Sequence, residues 1–186
     1  MAAIPESPEP SVLKVVVSGS ECTGKTTLAR ELATHYGTAC SEEYARRYVD
    51  EHPGPLTTAD VEPIARGQVL AEDAAIAIAR RLVILDTDLV STVVYARHYY
   101  GSCPARVEAA ARRRLGDLYL LLHPDVPWVA DGPQRDRPHQ REELHEAFRA
   151  ALAGWGASIC EVRGNWDARR VTAISAVDLI ARAGRR

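Results

Sequence analysis

One run in the sequence has residue types and spacing suited to holding polyphosphate: Gly19-Ser20-Glu21-Cys22-Thr23-Gly24-Lys25-Thr26-Thr27. It fits GxxxxGK[ST] and stands between an apolar run of strand length and a helical one, the context that this motif requires. Gly19 and Gly24 permit backbone conformations that turn N–H groups inward, so the loop through Ser20, Glu21, Cys22 and Thr23 forms an anion nest at the positive end of a helix. Lys25 is expected to bridge the β and γ phosphates of ATP, and the Thr26 hydroxyl to ligate the Mg²⁺ that joins them, with Thr27 assisting at the α phosphate. A dinucleotide-binding loop needs GxGxxG, and position 21 is Glu rather than Gly.

Phosphoryl transfer needs three further things: carboxylates at strand ends, an acceptor pocket, and a basic cover that excludes water. The run Leu82-Val83-Ile84-Leu85-Asp86 continues Thr87-Asp88, placing two carboxylates where open α/β sheets bind their ligands. Asp86 or Asp88 is expected to hold Mg²⁺, directly or through water. A second run ends in Glu42-Glu43, followed by Tyr44-Ala45-Arg46-Arg47-Tyr48. A carboxylate there can take the proton of an acceptor hydroxyl or orient it for in-line attack. The sequence leaves open which of Glu42, Glu43, Asp86 and Asp88 is the base. Segment 123–141, rich in Pro, Asp and Arg, reads as a short lid carrying Trp128, Asp131, Arg135, Arg137 and Arg141. Its arginines suit a transferring phosphoryl group and Trp128 a flat or cationic ring; the plainer alternative is a core Trp in a solvated loop.

The elements that must position these groups follow from periodicity. Apolar runs at 13–18, 37–42, 82–86, 117–122 and 158–162 alternate with helical segments such as 27–36, 59–81 and 145–155. That alternation predicts a mostly parallel sheet covered on both faces. Gly37 is expected to end the first helix, Pro104 to open one running to Arg114, and Asp167 to cap the last. Arg112, Arg113 and Arg114 then complement a helix dipole. The six histidines lack metal-ligand spacing.

The whole chain has 186 residues, a net charge of −2 and 46% apolar residues, a composition that fits one globular domain over 12–186 behind a disordered tail at 1–11. The charge balance argues against nucleic acid as main partner. Arg supplies 21 of the 23 basic residues, and the two lysines, Lys14 and Lys25, precede any place for the NKxD that reads guanine in switch GTPases. Four scattered cysteines suggest neither a disulfide framework nor a zinc site, and no apolar run reaches membrane-spanning length. A cytoplasmic protein without membrane contact or an obligate protein partner is expected.

With these motifs in order, the sequence resembles the ribosylnicotinamide kinase domain of bifunctional bacterial nicotinamide-nucleotide adenylyltransferase/kinases and its AAA-type P-loop relatives. The resemblance spans about residues 14–183. It rests on GSECTGKTTL at 19–28, EYARRYV at 43–49, GQ at 67–68, LDTDLVST at 85–92, YYG at 99–101, DLYLL at 117–121, PDVPWVADGPQR at 124–135 and GNWDAR at 164–169. It implies an α/β three-layer P-loop NTPase fold with a five-stranded parallel sheet in the order 2-3-1-4-5. It also implies MgATP-dependent phosphorylation of the 5'-hydroxyl of nicotinamide riboside. Carried over by motif, Lys25, Glu43, Asp88 and Arg135 are the catalytic candidates. Glu43, Tyr44, Arg46, Asp88, Trp128 and Asp131 are expected at the acceptor, Thr26 and Asp86 at the metal, and Asn165, Trp166 and Arg169 around adenine. Relatives often place an aromatic before the Glu-Tyr pair, where this chain has Glu42. Kinases of other nucleosides, and a regulatory ATP-binding module, are the competing readings.

Overall fold

The computed structural model describes residues 12–128 and 140–183. The expected tail lies outside them, as do Asp131, Arg135 and most of the expected lid. Five strands, β1 (Leu13–Gly19), β2 (Cys40–Ser41), β3 (Leu82–Asp86), β4 (Leu118–Leu122) and β5 (Ile159–Val162), form one sheet in the order β2-β3-β1-β4-β5. Every pairing is parallel. The helices are α1 (Lys25–Tyr36), α2 (Tyr44–Glu51), α3 (Val61–Ile78), α4 (Leu89–Tyr100), α5 (Ala105–Arg113), α6 (Arg141–Gly154) and α7 (Trp166–Ala183).

The strand side chains alternate between two apolar layers. Val15, Val17, Leu120 and Leu122 pack against Leu28 and Leu32 of α1 and Val177 of α7. Val16, Leu85, Tyr119 and Leu121 pack against Val94 of α4 and Phe148 and Leu152 of α6. Burying each such Val, Leu or Phe side chain contributes roughly 1.5–3 kcal/mol, so a charge at fully buried Val16 would disrupt the packing of the sheet against α4 and α6. The parallel order places the ends of β1 and β3 side by side, with Val17 opposite Asp86. The phosphate loop and the first strand-end carboxylate are thereby neighbours.

Departures from expectation trace to particular caps and side-chain pairs. The helix expected over 59–81 is α3 from Val61, preceded by a 3₁₀ turn at Thr58–Asp60 that a Thr57–Asp60 capping box closes. The last helix is capped by Asn165, whose side chain accepts the Ala168 N–H at 2.9 Å, and not by Asp167. Gly37 ends α1 in the left-handed conformation, as expected. Arg112 lies over the Trp155 ring at 4.4 Å, and Arg114 pairs with Glu72 at 3.3 Å and Asp73 at 2.5 Å, so these arginines do more than complement a dipole.

A buried polar network sits behind β3 and corrects the expectation for Asp88. Its carboxylate is the N-cap of α4, accepting the Val90 N–H at 3.0 Å, and accepts the Tyr119 hydroxyl at 2.5 Å. The Tyr119 oxygen in turn accepts the Gly116 N–H at 3.1 Å. Asp88 is therefore fastened inside the molecule, and burial pushes its carboxyl up to about 6 against these hydrogen bonds. Nearby Glu72 is pushed up to about 7, by burial and then by Asp88, against the attraction of Arg114.

Both carboxyls hold protons more tightly folded than unfolded, so the stability they contribute declines as pH rises from about 4 to about 7. Glu72→Gln removes one of these slopes. Urea unfolding should show the variant gaining on the native protein by on the order of 2–3 kcal/mol between pH 5 and pH 8. A stability difference that does not change with pH would contradict this placement of the Glu72 charge.

Candidate active site

The phosphate loop joins β1 to α1 through three positive φ angles: Gly19 at 140°, Cys22 at 53° and Gly24 at 87°. A Cβ on Gly19 would lie 2.8 Å from the Leu122 carbonyl oxygen, and one on Gly24 would lie 2.9 Å from the Trp166 ring. Both glycines are thus required by close approach as well as by φ. Within the loop, the Thr23 hydroxyl and the Lys25 ammonium both donate to the Ser20 carbonyl, at 2.9 and 2.8 Å.

Arg169 supports the loop from behind. It is fully buried, and its guanidinium donates to the carbonyls of Thr23 at 3.1 Å, His123 at 2.7 Å and Gly164 at 2.8 Å while pairing with Asp125. Partial burial raises the Asp125 carboxyl, but the Gly164 amide and Arg169 outweigh it and hold the group below its ordinary range. Trp166 packs its ring beneath Gly24 and donates its indole N–H to Glu31 at 3.1 Å. The three residues expected around adenine therefore have internal work: Asn165 caps α7, while Trp166 and Arg169 brace the loop. Arg141, at the start of α6, adds a brace from the other side through the carbonyls of Val126 at 3.0 Å and Cys22 at 3.5 Å.

Asp86 ends β3 beside the loop, almost fully buried. It is held above the ordinary carboxyl range by burial first; the Thr26 hydroxyl bond, Lys25 and Arg46 oppose this, and Glu43 adds to it. One of its oxygens, Oδ1, is buried without a hydrogen-bond partner. An orphaned carboxylate oxygen next to a Thr hydroxyl is a hard-oxygen donor pair, and it fits Mg²⁺. Thr26 and Asp86 are the residues that would hold it.

From this cluster a cleft of about 370 Å³ opens between α2, α3 and α4. Lys25 and Glu21 line its loop end, Glu43, Arg46 and Asp50 its α2 side, and Tyr95, Tyr99 and Tyr100 its α4 side. The Tyr95 and Tyr99 rings stack with centroids 6.0 Å apart, and the Tyr99 hydroxyl donates to Glu21 at 3.3 Å.

Of the residues expected at the acceptor, Glu43 and Arg46 reach this cleft. Tyr44 does not: its ring lies flat against Gly67, and it lines a second, smaller cleft together with exposed Glu42. Arg46 and Asp50 of α2 line the first cleft, Tyr44 and Arg47 the second, and Glu43 at the helix start borders both. Trp128 is half-buried and is not among the residues lining the cleft. Gln68, Thr87 and the three tyrosines line it without having been singled out as site residues. GQ at 67–68 signals Gln68, YYG at 99–101 signals Tyr99 and Tyr100, and LDTDLVST at 85–92 holds Thr87; Tyr95 has no such signal.

A profile of the AAA domain family matches residues 14–169. The trifunctional NAD biosynthesis/regulator protein NadR of Escherichia coli K12 is 35% identical over 134 residues, which are 69% of this chain and 33% of that protein. Its counterpart in Salmonella typhimurium LT2 matches to the same extent. The chain thus spans about a third of the length of these curated relatives. Among solved structures, NadR in complex with NAD and AMP-PNP is 28% identical with a TM-score of 0.74, covering 91% of this chain and 49% of that one. NadR in complex with NR is 26% identical with a TM-score of 0.75, covering 90% and 51%. Thymidylate kinase from Ehrlichia chaffeensis, 14% identical with a TM-score of 0.63 over 92% of this chain and all of that one, shares the fold.

Because Arg169 braces the loop from within, Arg169→Met should lower ATP-analogue affinity at least about tenfold and also lower the melting temperature, as expected when a buried charge network loses one member. Calorimetric titration and thermal melts check this. Full affinity and full stability together would refute the bracing role.

Proposed function

The chain belongs to the AAA domain family, and on that premise we propose that it transfers the γ-phosphoryl group of ATP to the 5'-hydroxyl of nicotinamide riboside, giving nicotinamide mononucleotide. The observation that carries this reading is one cleft lined by phosphate-loop residues, the Glu43 carboxylate and a stacked tyrosine wall. The 35% identity to NadR, and the NR held by a NadR structure of the same fold, support the choice of acceptor.

In this mechanism the loop amides and Lys25 bind the β and γ phosphates, Lys25 exchanging its bond to the Ser20 carbonyl for one to phosphate. Mg²⁺, when bound at Thr26 and Asp86, supplies charge neutralisation between those phosphates. Glu43 accepts the proton of the attacking hydroxyl, and Arg46 faces the charge spreading over the equatorial oxygens. The tyrosine wall stacks on the flat ring, while the carboxylates of Glu21 and Asp50 favour one that carries positive charge. Glu43 is the base in this proposal because Glu42, which precedes α2, lines the second cleft and not the first, Asp88 is an internal cap, and Asp86 is engaged by Thr26. Asp131 and Arg135 are proposed to complete the cover over the transferring group.

The test is ADP release by the purified protein with MgATP, nicotinamide riboside being compared with a panel of purine and pyrimidine nucleosides. Turnover should depend on the riboside. Lys25→Ala should reduce it by about 100-fold or more, and Glu43→Gln by roughly 100-fold with the KM for ATP unchanged. Turnover with another nucleoside alone would replace the acceptor. ATP binding without acceptor-dependent ADP would make the chain a regulatory module instead.

A further inference from the structure

Gln68 occupies a position that phosphate binding and proton transfer leave unexplained. It lies in the middle of α3, only 3% exposed, and its carboxamide is committed at both ends. Its Oε1 accepts the Tyr44 N–H at 3.0 Å, and its Nε2 donates to the Thr87 carbonyl at 3.3 Å. Tyr44 follows Glu43, and Thr87 follows Asp86. A single buried side chain therefore grips both turns that carry the acceptor carboxylate and the strand-end carboxylate.

Neither turn is held well by its own residues. Helix α2 begins at Tyr44, and its N-cap Glu43 makes no side-chain cap bond, so the first N–H groups need partners from elsewhere, and Gln68 supplies one. Thr87 stands at φ 67°, a left-handed conformation that costs a β-branched residue on the order of 1–3 kcal/mol. Its N–H is fixed to the Val17 carbonyl at 3.1 Å, and its own carbonyl is fixed by Gln68. The residue before Gln68 completes the arrangement. A Cβ on Gly67 would lie 2.0 Å from the Tyr44 ring, so only glycine lets the ring lie flat on α3 and brings the Tyr44 N–H to the carboxamide.

We infer that Gln68 is a positioning residue for phosphoryl transfer: by holding the Tyr44 amide and the Thr87 carbonyl it sets the separation of Glu43 from Asp86, and so aligns the acceptor hydroxyl with the bound phosphate. The inference rests on the proposed kinase reading for its effect on turnover, and on the hydrogen bonds alone for its effect on the backbone. It does not involve the phosphate loop, whose supports are Arg169, Arg141 and Trp166.

The experiment pairs steady-state kinetics with amide hydrogen exchange on Gln68→Met, which keeps the length and burial of the side chain and removes both bonds. Acceptor-dependent kcat should fall about 10- to 100-fold, the scale of a misplacement near 1 Å, with a smaller change in the KM for ATP. The Tyr44 amide should exchange faster, while the amides of β1 keep their protection. Gln68→Leu, uncharged and unable to form either bond, is expected to have the same effect and serves if Gln68→Met does not fold. Native kcat in Gln68→Met overturns the inference, as does a fall in kcat matched by an equal loss of ATP affinity. If the native protein shows no acceptor-dependent turnover, the kinase reading fails instead, and an unchanged Tyr44 amide in Gln68→Met would still refute the tether.

Discussion

The loop between β1 and α1 is bent through positive φ at Gly19, Cys22 and Gly24, and the rest of the site depends on its being kept that way. A non-glycine residue such as Cys22 resists this by on the order of 1–3 kcal/mol. The fold meets that cost with contacts from three directions. Leu122 of β4 crowds Gly19, the guanidinium of Arg169 seizes the Thr23 carbonyl from α7, and Arg141 of α6 reaches the Cys22 carbonyl. Strands and helices far apart in sequence thereby converge on one short loop. A parallel sheet in the order β2-β3-β1-β4-β5 is the arrangement that brings them there.

The carboxylates around this loop divide their work by burial and partner. Asp88 is spent internally on α4 and Tyr119, and Glu72 on Arg114, while Asp86 keeps one oxygen uncommitted and Glu43 faces the cleft. Two residues apart on the same turn, Asp86 and Asp88 point to opposite environments because Thr87 takes a left-handed conformation between them. This strained residue lets a single strand end serve both the site and the core.

Much of this was legible in the sequence because it is local. The glycines and Lys25 of the phosphate loop, the five apolar runs and the Gly37 stop each depend on near neighbours. What was not legible depends on distant ones. Asp88 reads as a second site carboxylate until Tyr119, 31 residues on, is seen to cover it. Arg169 reads as a nucleotide contact until its partners at Thr23, His123 and Asp125 are placed. The face that Tyr44 presents is decided by Gly67, 23 residues away, which no periodicity within α2 reveals. Strand order was anticipated by family resemblance; the exact ends of α3 and α7 were set by Thr57–Asp60 and Asn165, cap chemistry that competed with other plausible caps.

In the proposed function, the cleft aligns a sugar hydroxyl with the phosphate held in the loop. The most direct measurement is phosphorus NMR of the protein incubated with MgATP and nicotinamide riboside. A new phosphomonoester resonance, split by the two protons on the 5'-carbon, should grow as the γ-phosphate signal of ATP is lost. Inorganic phosphate as the sole new phosphorus product beside ADP would contradict it.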